Sequence, residues 1–132
     1  MRRWRQGLIL AAGLCSQACG GPDPTCSGAA PESLADLQAS ILTPTCATAA
    51  CHRGDRPAQQ LNLEEGKSYA SLLGRKSTLD GSRDLVKPQD PASSVLYTQV
   101  HSGLMPQGSS PLSAEQQQKV HDWICSGAPN SP

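Results

Sequence analysis

A chain of 132 residues has room for one small domain, and its 11 Lys plus Arg balance its 11 Asp plus Glu. These charges are scattered, so composition argues against a nucleic-acid surface. The sequence has no Phe and only two Tyr and two Trp, so its core must draw apolar bulk from a bound group or rely on disulfide staples.

Arg2, Arg3 and Arg5 precede the apolar run Gly7 to Leu14, followed by small residues. This charged, apolar and small-residue order is that of a secretory signal, and the run is too short to span a bilayer permanently. Residues 1–18 are read as that signal, with cleavage before Cys19. A terminal Cys19 is then either acylated, as in a bacterial lipoprotein anchored to a membrane, or simply secreted; Ser16 stands where a lipoprotein signal prefers Leu. Gly20-Gly21-Pro22-Asp23-Pro24 opens a flexible tether over 19–30, and the folded domain is expected over 31–129.

Leu34, Leu37, Ile41 and Leu42 fall on one helical face behind Pro31, predicting a first helix that Pro44 ends. The chain then enters Cys46-Ala47-Thr48-Ala49-Ala50-Cys51-His52. Two thiols followed directly by an imidazole suit covalent haem attachment, in which the thiols form thioethers and the His becomes an axial iron ligand. Four residues lie between the thiols where the usual motif has two; a bulge of small residues accommodates them. A plain Cys46–Cys51 disulfide is the main alternative, and zinc a weaker one, because adjacent Cys51 and His52 poorly suit one tetrahedral ion.

Arg53 to Pro57 reads as a solvated loop. Leu61 and Leu63 lead to a short second helix over 64–73 stopped by Gly74, and 77–88 reads as an irregular loop anchored by Leu85 and Val86. Asp90 is expected to cap a third helix beginning at Pro91, with Val95, Leu96 and Val100 inward. Met105, the only methionine besides Met1, follows in a loop. Its thioether is a soft iron ligand or else a core filler, and His101 is the competing ligand, otherwise a solvated helix-end residue. A last helix opens on a Ser113/Gln116 capping box and stops at Gly127, with Val120, Trp123 and Ile124 inward. Trp123 is expected on a haem or on the first helix, and His121 in solvent.

Export makes the cysteines pair or be consumed. With Cys15 in the signal, Cys19 available for lipid, and Cys46 and Cys51 taken by haem or by each other, a Cys26–Cys125 disulfide follows by elimination. It closes a loop of about 100 residues, worth roughly 4–5 kcal/mol in the chain-entropy treatment.

The order of these features, with Val86-Lys87-Pro88-Gln89-Asp90-Pro91 to Tyr97, Met105-Pro106 and Trp123-Ile124-Cys125-Ser126-Gly127-Ala128, resembles the small bacterial c-type cytochromes. It is particularly similar to cytochrome c-like lipoproteins with a Cys-x4-Cys-His site. The resemblance spans about Leu34 to Pro129. It implies a mostly α, cytochrome c-like fold of about four short helices with long loops, first and last helices packed together around one haem c. Cys46 and Cys51 would be the attachment points, His52 the proximal ligand and Met105 the distal one.

The expectation is therefore a monomeric one-electron carrier of the periplasm or cell envelope, serving a redox partner protein and held to a membrane if Cys19 is lipidated. No nucleophile or acid–base constellation marks an enzyme; without Met105 ligation, an open iron suits gas sensing or weak peroxidase chemistry. The competing expectation is a haem-free extracellular binding or structural domain with two disulfides.

Overall fold

In the computed structural model, which describes residues 25–131, Ser33 caps the first helix by accepting the Asp36 amide at 3.1 Å. Helix α1, Leu34–Leu37, continues without a break into a π-wound segment, Gln38–Cys46. The expected stop at Pro44 is thus corrected: helical winding runs through the proline to Cys46. A proline ring inside a normal α-helix collides with the carbonyl one turn back and withholds an N–H. The wider π winding relieves that crowding, and it ends with the Ala47 amide reaching back five residues to the Leu42 carbonyl at 2.7 Å. Leu34, Leu37, Ile41 and Leu42 are all buried, as their spacing predicts.

The second helix is shorter than its pattern suggested. Helix α2 is Ser68–Leu72, because the Glu64 carbonyl accepts the amides of both Lys67 and Ser68 in a preceding turn. Gln38 ties this helix to the first: its Nε2 donates to the Leu63 carbonyl at 2.9 Å, and its Oε1 accepts from the Ser68 hydroxyl at 2.6 Å. The next loop carries two isolated bridges, Leu73 with Val86 and Lys76 with Asp84. Val86 is buried in the core and Leu85 half-buried.

Helix α3, Val95–His101, starts later than expected. Asp90 accepts the Ser93 amide at 2.9 Å and so caps a turn over Pro91 to Ser93, while Ser94 occupies the N-cap position of the helix. Ser94 is fully buried; its hydroxyl accepts the Lys87 amide and donates to the Asp90 carbonyl, both at 2.8 Å. Helix α4, Ala114–Cys125, carries the predicted capping box of Ser113 and Gln116.

Helix α4 packs against both α1 and α3. Val120, Trp123 and Ile124 join Leu34, Leu37 and Ile41 in one apolar cluster. Trp123 is completely buried, and its Nε1 donates to the Pro129 carbonyl at 3.0 Å, so the chain after Gly127 folds back to satisfy the indole. Gly127, at φ 92°, makes that reversal, in a backbone region that glycine enters without steric cost. Among the described residues the regular structure is helical, no β-strand forms, and no helix is long and apolar enough to cross a membrane.

The Cys26–Cys125 disulfide forms and clips the start of the described chain to the end of α4. Of the segment 19–30, Thr25 and Cys26 are therefore fastened to the domain. The expected signal, its cleavage point and Cys19 lie outside the described residues.

Replacing Trp123 with Ala should lower unfolding stability by about 3–5 kcal/mol, since it empties the shared centre of the helices. Ser113→Ala should lower it by about 1 kcal/mol through loss of the cap. Denaturant unfolding followed by circular dichroism measures both.

Candidate functional site

Cys46 ends the π-wound segment, and the next residues make a tight bulge. The Cys51 amide donates to the Thr48 carbonyl at 3.0 Å and the His52 amide to the Cys46 carbonyl at 3.1 Å. Ala47 to Ala50 thereby loop out while Cys46, Cys51 and His52 stay on one wall of a cavity. Alanine and threonine permit so tight a loop because their side chains take little room. Cys46 and Cys51 are unbonded thiols, both half-buried.

The cavity encloses about 160 Å³ and opens to solvent at its mouth. Leu61, Leu63, Leu72, Leu85, Leu96 and Val100 make it chiefly apolar. Arg75, Lys76, Gln59 and Thr78 bring polar groups to the same space, and Met105 and Pro106 contribute from the loop after α3. The Met105 amide, donating to the Gln99 carbonyl at 3.0 Å, holds that loop against α3. Four of the expected site residues, Cys46, Cys51, His52 and Met105, thus share one cavity although Met105 is more than fifty positions from His52.

His52 is nearly buried, and its Nδ1 lies 3.1 Å from the Ala58 carbonyl oxygen and 3.2 Å from that of Leu61. Both neighbours are acceptors, so in the neutral ring Nδ1 carries the proton and Nε2 the lone pair. Every buried side-chain nitrogen or oxygen among the described residues has a hydrogen-bond partner. Nε2 has none among the described residues and so is the accessible ring nitrogen of a residue that lines the cavity. The two clamping carbonyls flank Gln59 and Gln60, which adopt φ of 54° and 57°. Consecutive non-glycine residues in this left-handed region are strained; here the turn aims both carbonyls at His52.

Burial, and then the neighbouring Cys51 sulfur, push the Cys46 thiol up to about 11. It therefore remains a protonated, apolar group facing the cavity at neutral pH. Beyond the thiols, Glu64 secures the loop that follows His52. Its Oε2 accepts from the Gly54 amide at 3.2 Å, from Asn62 Nδ2 at 2.9 Å and from Lys67 Nζ at 2.9 Å, while Arg53 Nε approaches Oε1 at 3.4 Å. Nothing in sequence spacing singled out Glu64; its donors come together only when the loop closes.

Other expectations resolve differently. His101 is exposed, stacks on Tyr97 and meets Gln117 at 3.1 Å, and it does not line the cavity. Trp123 lies in the core against the first helix and likewise stays off the cavity wall. His121, expected in solvent, is only 1 % exposed, drawn inward by hydrogen bonds to Thr25 and Asp122. Among the described residues no three His, Cys, Asp or Glu side chains converge tightly enough to hold an ion by themselves. The donors are instead spread along the wall of an open, chiefly apolar cavity.

The hydrogen bonds to Glu64 from Asn62, Lys67 and Gly54 hold its carboxyl at about 2, well below the ordinary 4.5. Its contribution to stability is complete above the ordinary value and is lost as pH falls through about 2. The stability difference between the parent and Glu64→Gln should accordingly shrink as pH drops across this window, as acid titrations of their denaturant midpoints would measure. Compared with protein-family models, with characterised proteins and with solved structures, the chain matches none.

Proposed function

We propose that this chain is an exported c-type haem protein that carries single electrons. The observation that supports it best is the meeting of Cys46, Cys51, His52 and Met105 on one apolar cavity, with His52 Nε2 accessible. In this reading the fold is a cytochrome c-like arrangement, with α1 and α4 packed together behind the cavity.

The donor set suits a covalently bound porphyrin. Cys46 and Cys51 supply the two sulfurs for thioether bonds, and the Ala47–Ala50 bulge takes up the longer spacer. His52 would hold the iron through Nε2, with the carbonyls of Ala58 and Leu61 fixing its tautomer and ring orientation. Met105 would offer its thioether from the loop after α3. Leu61, Leu63, Leu72 and Leu96 would shield a bound porphyrin from water, and Arg75 would bring positive charge toward its carboxylates. Bound there, a haem supplies a one-electron couple whose potential is raised by thioether ligation.

Were His52 and Met105 both to hold the iron, no substrate would reach it, which favours electron transfer over catalysis. A redox partner protein would approach the open mouth, where Leu79 is 63 % exposed. Export to the periplasm or cell envelope follows from the N-terminal signal, and a membrane anchor from lipidation of Cys19. Under the competing haem-free reading, Cys46 and Cys51 would be joined as a disulfide.

The chain with its signal, expressed in a bacterium that matures c-type haem, should yield coloured protein that keeps its haem after denaturation. A double Cys46→Ala, Cys51→Ala variant should release it. Met105→Ala should keep the haem bound but change the oxidised spectrum and lower the reduction potential, on the order of 100 mV within the ~0.8 V range that axial ligands span. Colourless protein from a host shown to mature a control cytochrome would sink the proposal.

A further inference from the structure

The chain between α2 and α3 leaves the core and returns beside its point of departure. Leu73 bridges Val86 and Lys76 bridges Asp84. The Leu85 amide donates to the Arg75 carbonyl at 2.8 Å and the Ser77 amide to the Arg83 carbonyl at 2.9 Å. Lys76 Nζ adds an ion pair to Asp84 at 2.8 Å. The Arg83 guanidinium fastens the returning arm to the Ala92 carbonyl and to Thr98 Oγ1 on α3, both at 3.4 Å. This neck is therefore pinned, and Ser77 is buried in it.

Beyond the neck, residues 78–82 are all exposed, and their hydrogen bonds run mostly within the loop. The Leu79 amide donates to Ser77 Oγ at 3.2 Å, and the Ser82 amide to Asp80 Oδ1 at 3.1 Å. The Arg83 amide donates to the Asp80 carbonyl at 3.1 Å. A tip closed on itself in this way moves as one piece. Among the described residues, one hydrogen bond ties it to a distant part of the chain: Thr78 Oγ1 donates to Gln59 Oε1 at 2.7 Å. That bond joins two walls of the cavity, since Ser77, Thr78 and Leu79 line it from one stretch and Gln59 and Gln60 from another. Leu79 is 63 % exposed and so belongs to the mouth.

The enclosed space of about 160 Å³ is smaller than the roughly 300–1000 Å³ of pockets that bury small molecules and cofactors. A ligand of that size is enclosed only if a wall gives way. Few buried contacts and solvent-exposed hydrogen bonds mark a segment that opens at low cost, and residues 78–82 have both.

We propose that residues 78–82 form a flap over the cavity, hinged at Ser77 and Arg83 and latched by the Thr78–Gln59 hydrogen bond, which lifts to admit a bulky apolar ligand. Gln59 lies in the turn whose Ala58 and Leu61 carbonyls hold His52, so the latch and the imidazole share one support. The flap belongs to the chain itself, whichever group fills the cavity, so its failure and that of the haem reading are separate results.

The test uses the full-length chain prepared without haem, with Cys46 and Cys51 as thiols and Cys26–Cys125 intact. The thiols are alkylated with iodoacetamide, which is small, and with N-(1-pyrenyl)maleimide, which is broad, flat and apolar. Each rate is divided by that of a peptide of residues 46–52, and peptide mass mapping assigns it to one thiol. The parent should be protected from the pyrenyl reagent at least about tenfold more than from iodoacetamide. Thr78→Val removes the latch donor and keeps its shape; it should raise the pyrenyl rate about two- to tenfold, the span of one hydrogen bond's net worth, and leave the iodoacetamide rate unchanged. Gln59→Asn, too short to reach Thr78 yet tolerant of the left-handed backbone, should do the same. Global unfolding speeds both reagents alike, so the ratio reads the flap alone. Equal protection from both reagents in the parent overturns the proposal, as does a folded Thr78→Val protein of unchanged selectivity. The parent's selectivity needs no variant, so a Thr78→Val protein that fails to fold leaves the test standing.

Discussion

Pro44 imposes the constraint on which the geometry of the cavity depends. Its ring cannot sit in a tight α-helix, yet Leu37, Ile41 and Leu42 in the turns leading up to it are held in the core by burial. Widening to a π winding satisfies both demands, because it separates the ring from the carbonyl behind it while keeping the apolar stripe inward. Cys46 is then delivered at the last turn of a helix whose other end packs on α4. Were the helix to stop before Pro44, the wall carrying Cys46, Cys51 and His52 would lose its rigid support.

From that fixed edge the rest of the cavity is built by backbone rather than by long side chains. The bulge from Ala47 to Ala50 closes through the Cys46 and Thr48 carbonyls, and the left-handed pair Gln59–Gln60 turns the Ala58 and Leu61 carbonyls onto His52. Backbone carbonyls are inflexible partners, so the imidazole is oriented before any ligand arrives, which reduces the reorganisation a bound group would require. Glu64 then ties this loop to the start of α2 through four donors. Apolar walls thus stand beside a pre-oriented imidazole and a protonated thiol.

The opposite side of the molecule solves a different problem. The chain before α1 has no helix of its own among the described residues, and it is held by Cys26 and by the Thr25 carbonyl on His121. Both fasteners land within one turn of α4. A buried imidazole is costly unless its ring nitrogens find partners, and Asp122 and Thr25 meet that requirement. The same helix therefore serves the core through Trp123 and Ile124 and the leading segment through His121, Asp122 and Cys125.

Much of the helical framework was legible in the residues, because periodic burial and caps are local signals. The Leu34–Leu42 stripe, the Ser113/Gln116 box, the stop at Gly127 and the Cys26–Cys125 pairing all follow from short-range pattern or from cysteine arithmetic. The starts of α2 and α3 were not legible, since turns at Glu64 and Pro91 competed successfully with helix for the same amides. His121 could not be placed either: a histidine on a helix reads as solvated until a distant segment, here Thr25, arrives to accept its proton. By itself, then, the sequence determined the small helical class and the Cys26–Cys125 pairing. Only the tertiary structure decided that Met105 shares a cavity with His52 while His101 and Trp123 do not, because that choice depends on how a loop and two helices pack across more than fifty intervening residues.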